Sequence, residues 1–107
     1  MKKDICVDFD GVLNNYTKYD KNDLGEMKDG CKEFLHKLSE QYHVSILTSR
    51  NIADVEKWVN KYKLNDYIKQ VTNIKIPAVL YIDDRALTFK GDYDEVLNEI
   101  ELFSVKR

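Results

Sequence analysis

Ile5-Cys6-Val7-Asp8-Phe9-Asp10-Gly11-Val12-Leu13 decides how the rest of the chain is read. Three apolar, β-forming residues run without polar alternation into two carboxylates and a glycine, the pattern of a strand covered on both faces that ends at solvent. Val44-Ser45-Ile46-Leu47 and Ala78-Val79-Leu80-Tyr81-Ile82 have the same character, and the last run also ends on acids, Asp83 and Asp84. A parallel sheet presents its ligand sites outside the carboxyl ends of its strands. Two such strands side by side would direct their acids into one crevice.

Between these runs the apolar period changes from that of a strand to that of a helix. Cys31, Phe34, Leu35, Leu38 and Tyr42 draw one stripe and predict a helix over roughly Lys28 to Tyr42. Ile52, Val55, Val59 and Tyr62, with Trp58 beside them, predict a second helix after Asn51, whose side chain suits an N-cap. Tyr67, Ile68 and Val71 fit either a short strand or an extended connector ahead of Pro77. Asp92 with Glu95 three residues on reads as a helix start, and Tyr93, Val96, Leu97, Ile100 and Phe103 give that third helix an apolar face. Strand and helix alternate, which implies right-handed crossovers and a three-layer, Rossmann-like α/β sandwich with a mostly parallel central sheet. Residues 14–27 break the pattern. Polar and rich in Tyr, Asp and Lys, they are longer than a compact crossover needs, and read as a flap or as a plain solvated loop.

The whole of 1–107 fits a single domain, with no room for a substantial second one. At 43% hydrophobic and 34% charged residues, the composition is that of a folded globular protein and not of a disordered chain. A formal net charge of -2 supplies no basic field, so general nucleic-acid binding is not expected. No apolar stretch approaches a signal h-region or a membrane span; a cytoplasmic protein without a membrane partner is expected. Cys6 and Cys31 lack metal or redox spacing and read as buried free thiols, while His36 and His43 suit surface or packing roles.

Asp8 and Asp10 are two residues apart, so their side chains lean the same way if the strand extends through both, and Gly11 lets the chain turn sharply just beyond. Close carboxylates repel and desolvate badly unless a cation or a shared proton relieves them. Hard oxygen ligands of this kind favour Mg²⁺. Without such an ion, the same residues would simply end a strand and cap a turn.

Taken in order, Val7-Asp8-Phe9-Asp10-Gly11-Val12-Leu13, Thr48 after Ile46-Leu47, Lys75, and Ile82-Asp83-Asp84 resemble the four motifs of the haloacid dehalogenase superfamily of phosphohydrolases. The likeness covers nearly the whole chain and is greatest to small capless members, whose I-D-D-R string is echoed by Ile82-Asp83-Asp84-Arg85. It implies Asp8 as a nucleophile that forms an aspartyl-phosphate, and Asp10 as the acid that protonates the leaving oxygen and then activates water. Thr48, with Ser49 sharing the task, would hold the phosphoryl oxygens. Lys75 would steady the charge, with Lys69 as its rival. Mg²⁺ would be held by Asp8, by Asp10 through its backbone carbonyl, and by Asp83, with Asp84 as a further ligand or as the partner of Lys75.

The resemblance therefore implies a Mg²⁺-dependent phosphomonoester hydrolase. Lacking a cap, its site would suit a phosphorylated macromolecular end, or a small phosphorylated molecule enclosed by a second copy in a homo-oligomer. The competing readings are a phosphatase of nucleotide or polynucleotide phosphate ends, and a non-catalytic phosphate- or metal-binding module of receiver type. Against the receiver stands motif order, since Thr48 occupies the end of the second strand where a receiver's acceptor Asp would be expected.

Overall fold

A computed structural model of the protein describes residues 1–106 and the side chains of residues 1–103. The chain forms β1 (Lys3–Asp8), α1 (Cys31–Gln41), β2 (Tyr42–Leu47), α2 (Ile52–Lys61), a 3₁₀ turn (Asn65–Tyr67), β3 (Gln70–Thr72), β4 (Leu80–Ile82) and α3 (Tyr93–Lys106). The four strands make one all-parallel sheet in the order β3-β2-β1-β4. This is a Rossmann-like α/β fold with β1 at its centre. No helix among the described residues is long and apolar enough to cross a membrane.

Strand alternation sorts the side chains. Ile5 and Val7 of β1 share a face with Val44 and Ile46 of β2, and all four lie in the core with Leu35 of α1 and Val55, Trp58 and Val59 of α2. Both helices therefore cover the same face, as two right-handed crossovers running in one direction across the sheet require. Cys6 and Ser45 occupy the other face and are also fully buried. Residues 73–79 run from β3 at one edge to β4 at the other without forming a helix; Tyr81, the register partner of Cys6, donates its hydroxyl to the Ile76 carbonyl at 2.7 Å, and Gln70 Nε2 donates to Ser45 Oγ at 3.3 Å. α3 follows β4, with Tyr93, Leu97 and Ile100 of its apolar stripe exposed.

Element boundaries differ from expectation for local reasons. α1 begins at Cys31 and not at Lys28, because Gly30 sits at φ +83°, outside helical geometry. Tyr42 is extended and opens β2 directly, so helix and strand join without a loop. α2 starts as expected, its Asn51 side chain accepting the Asp54 N–H at 3.1 Å. It ends in a Schellman motif: Leu64 N–H donates to the Val59 carbonyl and Lys63 N–H to the Asn60 carbonyl. Lys63 takes the left-handed position at φ +58°, and Leu64 is fully buried. The ambiguous stretch around Tyr67, Ile68 and Val71 resolves into the 3₁₀ turn and the short strand β3.

Candidate functional site

The register of the sheet builds the site. Val7 pairs with Ile82, so Asp8 and Asp83, one residue further along each strand, emerge side by side at the carboxyl edge. Carboxylate oxygens of Asp8, Asp83 and Asp84 all lie within 4.8 Å of one another. Burial pushes the Asp8 carboxyl from 3.8 up to about 6; Asp83 adds the next largest push, an N–H bond at Phe9 opposes it, and Asp84 and Asp10 contribute smaller repulsions. Asp83 also accepts the Arg85 N–H at 2.9 Å, which fixes the turn leaving β4. Glycine is required opposite: Gly11 stands at φ +83°, and a Cβ there would run into the Asp84 carboxylate.

Asp10 does not join this cluster. The strand ends at Asp8, and the backbone folds into a turn in which Leu13 N–H donates to the Phe9 carbonyl at 3.0 Å. Phe9 is fully buried, edge-on to Trp58 with ring centroids 4.8 Å apart. The persistence of the strand on which a common aim for Asp8 and Asp10 depended is therefore absent. Asp10 instead accepts Arg50 Nε at 2.9 and 3.0 Å on its two oxygens and Asn14 Nδ2 at 3.0 Å.

Thr48 and Ser49 leave β2 on the same edge, beside β1. Thr48 is buried, donates its N–H to the Thr72 carbonyl at 2.9 Å and accepts the Arg50 N–H on Oγ1 at 3.0 Å. Ser49 is exposed. Lys75 belongs to the crossing segment 73–79, and its ammonium lies 4.5 Å from the centroid of the Tyr81 ring. Its rival Lys69 is removed from contention, because Lys69 pairs with Asp4 at 3.1 Å near the amino ends of the strands, opposite the acids. Cys6 and Cys31 are free and buried, and burial raises both thiols, Cys31 to about 11.

Arg50 is the residue that sequence reasoning passed over, whereas Asn14 reads in sequence, with Asn15, Tyr16 and Tyr19, as either a substrate contact or part of a solvated turn. Arg50 reads in sequence as one surface charge after a strand, yet it is 5% exposed. The available signal was its place between the Thr48-Ser49 strand exit and the Asn51 cap, where a cation is carried into the interior of a turn. Asn14, 1% exposed, accepts the Gly11 N–H at 2.9 Å while donating to Asp10 and to the Leu24 carbonyl. Residues 14–27 are thereby tied to the site: Asn14 and Met27 form an antiparallel bridge, and Trp58 Nε1 donates to the Gly25 carbonyl at 2.8 Å. A cleft of about 260 Å³ lies between this loop and the start of α2, with Tyr19, Lys21, Asn22, Arg50 and Asp54 along its walls.

Neither a protein-family model nor a curated protein matches this sequence. Among solved structures, the chain is similar to a conserved protein coded by a locus from Bacteroides thetaiotaomicron, at 20% identity and a TM-score of 0.63, over 95% of this chain and 92% of that one. At that identity the likeness establishes the α/β fold and nothing about chemistry.

Proposed function

We propose that the protein is a Mg²⁺-dependent phosphomonoester hydrolase of haloacid dehalogenase type, with Asp8 as its nucleophile. The observation that carries this reading is the convergence of Asp8, Asp83 and Asp84 within 4.8 Å at the carboxyl edge of a parallel sheet. Three hard oxygen donors so close together, one of them half-buried and resisting ionisation, suit a small divalent cation. Bound there, Mg²⁺ would neutralise the acids and polarise the phosphoryl oxygens.

The chain's own groups then divide the work. An Asp8 oxygen attacks phosphorus, a P–O bond forms to Asp8, and the ester P–O bond breaks with its electron pair leaving on the alcohol oxygen. Asp10 gives that oxygen a proton. In the second half a water attacks the same phosphorus, Asp10 takes the water's proton, and the Asp8–phosphorus bond breaks to release inorganic phosphate and the free carboxylate. Thr48 N–H already bonds the Thr72 carbonyl, so phosphoryl oxygens would draw on Ser49 and on backbone N–H groups of the turn before α2, whose N-terminal dipole end is favourable. A phosphoryl dianion would recruit Lys75 from the Tyr81 ring, since an exposed cation–π contact is worth only about 0.5–1 kcal/mol.

Phosphate release from sugar phosphates, nucleotides, phosphopeptides and phosphorylated oligonucleotide ends, with and without Mg²⁺, tests the reading against a folded Asp8→Asn variant. Mg²⁺-dependent release by the native chain, abolished in the variant, is the expected result, and the productive substrates name the class. Mg²⁺ binding without release from any member of the panel would leave the phosphate- or metal-binding module as the better account.

A further inference from the structure

The C-terminal third of the chain is rich in apolar residues, yet it does not join the core. Among the described residues, none after Leu64 is fully buried, and no side chain of α3 packs against the core cluster. The radius of gyration agrees: it is 15.0 Å, against about 13 Å for a compact domain of this length. α3 has local signals for its start, since the Asp92 carboxylate accepts the Asp94 and Glu95 N–H groups at 2.9 and 3.3 Å. A helix of its length is nonetheless marginal in water unless something covers its apolar face.

That face has a ridge and a groove. Tyr93, Leu97 and Ile100 stand above one another at helical spacing and form the ridge. Phe89 stacks on Tyr93 with ring centroids 5.2 Å apart and extends it. Beside the ridge, a cleft of about 160 Å³ opens between α3 and the preceding segment, lined by Arg85, Ala86, Leu87, Ile100 and Phe103. Exposure across this patch runs from 39% at Leu87 to 77% at Tyr93. Its apolar side chains together expose on the order of 500 Å², near the top of what a monomer leaves uncovered. Because homodimer interfaces are about two-thirds apolar, a polar border brings the face to about 800 Å² for each partner, the size of a standard stable interface.

The borders carry opposite charge. Asp94 and Glu101 lie three residues before and four after Leu97, along the outer edge of the ridge. On the groove side stands Arg85, whose guanidinium makes no ion pair among the described residues. We propose that this face binds a second copy of the chain, the α3 ridge of each copy seated in the groove of the other, with Asp94 and Glu101 beside the opposite Arg85. A two-fold axis makes the same contact twice, which requires a single patch to hold both halves of the match. An acid-bordered ridge is also ill suited to an anionic lipid surface. The inference does not depend on the proposed phosphatase chemistry.

Sedimentation of the full chain over a concentration series tests it. The native chain should approach twice its 12.6 kDa mass as concentration rises. Leu97→Ser removes the middle of the ridge, and Arg85→Glu sets like charges against Asp94 and Glu101. Each should raise the dissociation constant of the dimer at least about tenfold, and Glu101→Arg added to Arg85→Glu should recover most of that loss. At dilutions where the native chain is itself monomeric, Leu97→Ser should share its circular dichroism and urea midpoint, which separates loss of pairing from loss of fold. A native chain that stays monomeric at millimolar concentration overturns the second copy as the occupant and leaves the face to a different protein. A dimer that both variants leave intact overturns this face as its interface, and failure of the charge reversal to recover any pairing overturns the seating of ridge in groove.

Discussion

At the scale of single residues, Asp8 couples acidity to stability. Its carboxyl titrates near 6 in the folded chain against 3.8 in an ordinary one, so the folded state holds a proton that the unfolded state has given up. The stability this confers is complete below about pH 4 and is lost as pH rises through about 6. Asp8→Asn should therefore be more stable than the native chain by about 1–3 kcal/mol at pH 7 without divalent metal, with the gap closing near pH 4; urea denaturation at the two pH values checks both. Mg²⁺ affinity should fall as pH drops through 6, because the proton and the cation compete for the same carboxylate, and calorimetric titration reads this directly. Gly11→Ala should cost about 1–2 kcal/mol through its left-handed backbone alone and should weaken Mg²⁺ binding by displacing Asp84. The acids were legible in sequence because each follows an apolar strand immediately and needs only the strand order to meet the others. Arg50 was not, since its significance depends on contacts with Asp10, Tyr19 and Asp20, which only the folded chain brings to it.

The elements show where local rules sufficed. α2 has an Asn cap, a period of buried Val55, Trp58 and Val59, and a hydrophobic residue after its end, and it forms within a residue or two of where that pattern places it. α1 was read too long because apolar spacing carries across Gly30 and into Tyr42, whereas backbone conformation does not. β3 was ambiguous because three residues are too few for a period to declare itself; pairing with Ser45, Ile46 and Leu47 settles it. One element carries a built-in cost. Lys63 adopts a left-handed conformation at the end of α2 that suits glycine, so Lys63→Gly should raise stability by about 1 kcal/mol, seen as a higher urea midpoint at unchanged slope.

For the whole molecule, the two faces of the sheet are unequal. α1 and α2 build a close-packed core on one face, whereas α3 leaves large apolar side chains exposed. Leu35→Ala should therefore cost about 2–5 kcal/mol, while Leu97→Ser, at a position 64% exposed, should stay within about 0.5 kcal/mol of the native chain; equilibrium denaturation of the two compares the faces directly. The parallel sheet could be read from the alternation of strands and helices. The path of 73–79 could not, because a short, mixed stretch interrupted by Pro77 shows no helical or strand period and so no sign of which face it will traverse. The strand order has a consequence in time. Synthesis delivers β1 and β2 well before β4, yet β4 is the neighbour of β1, so Asp8 faces water until the last strand docks and brings Asp83 beside it. A cation gripping both acids can arrive only after that final event; it would lengthen the lifetime of the finished protein without hastening its formation.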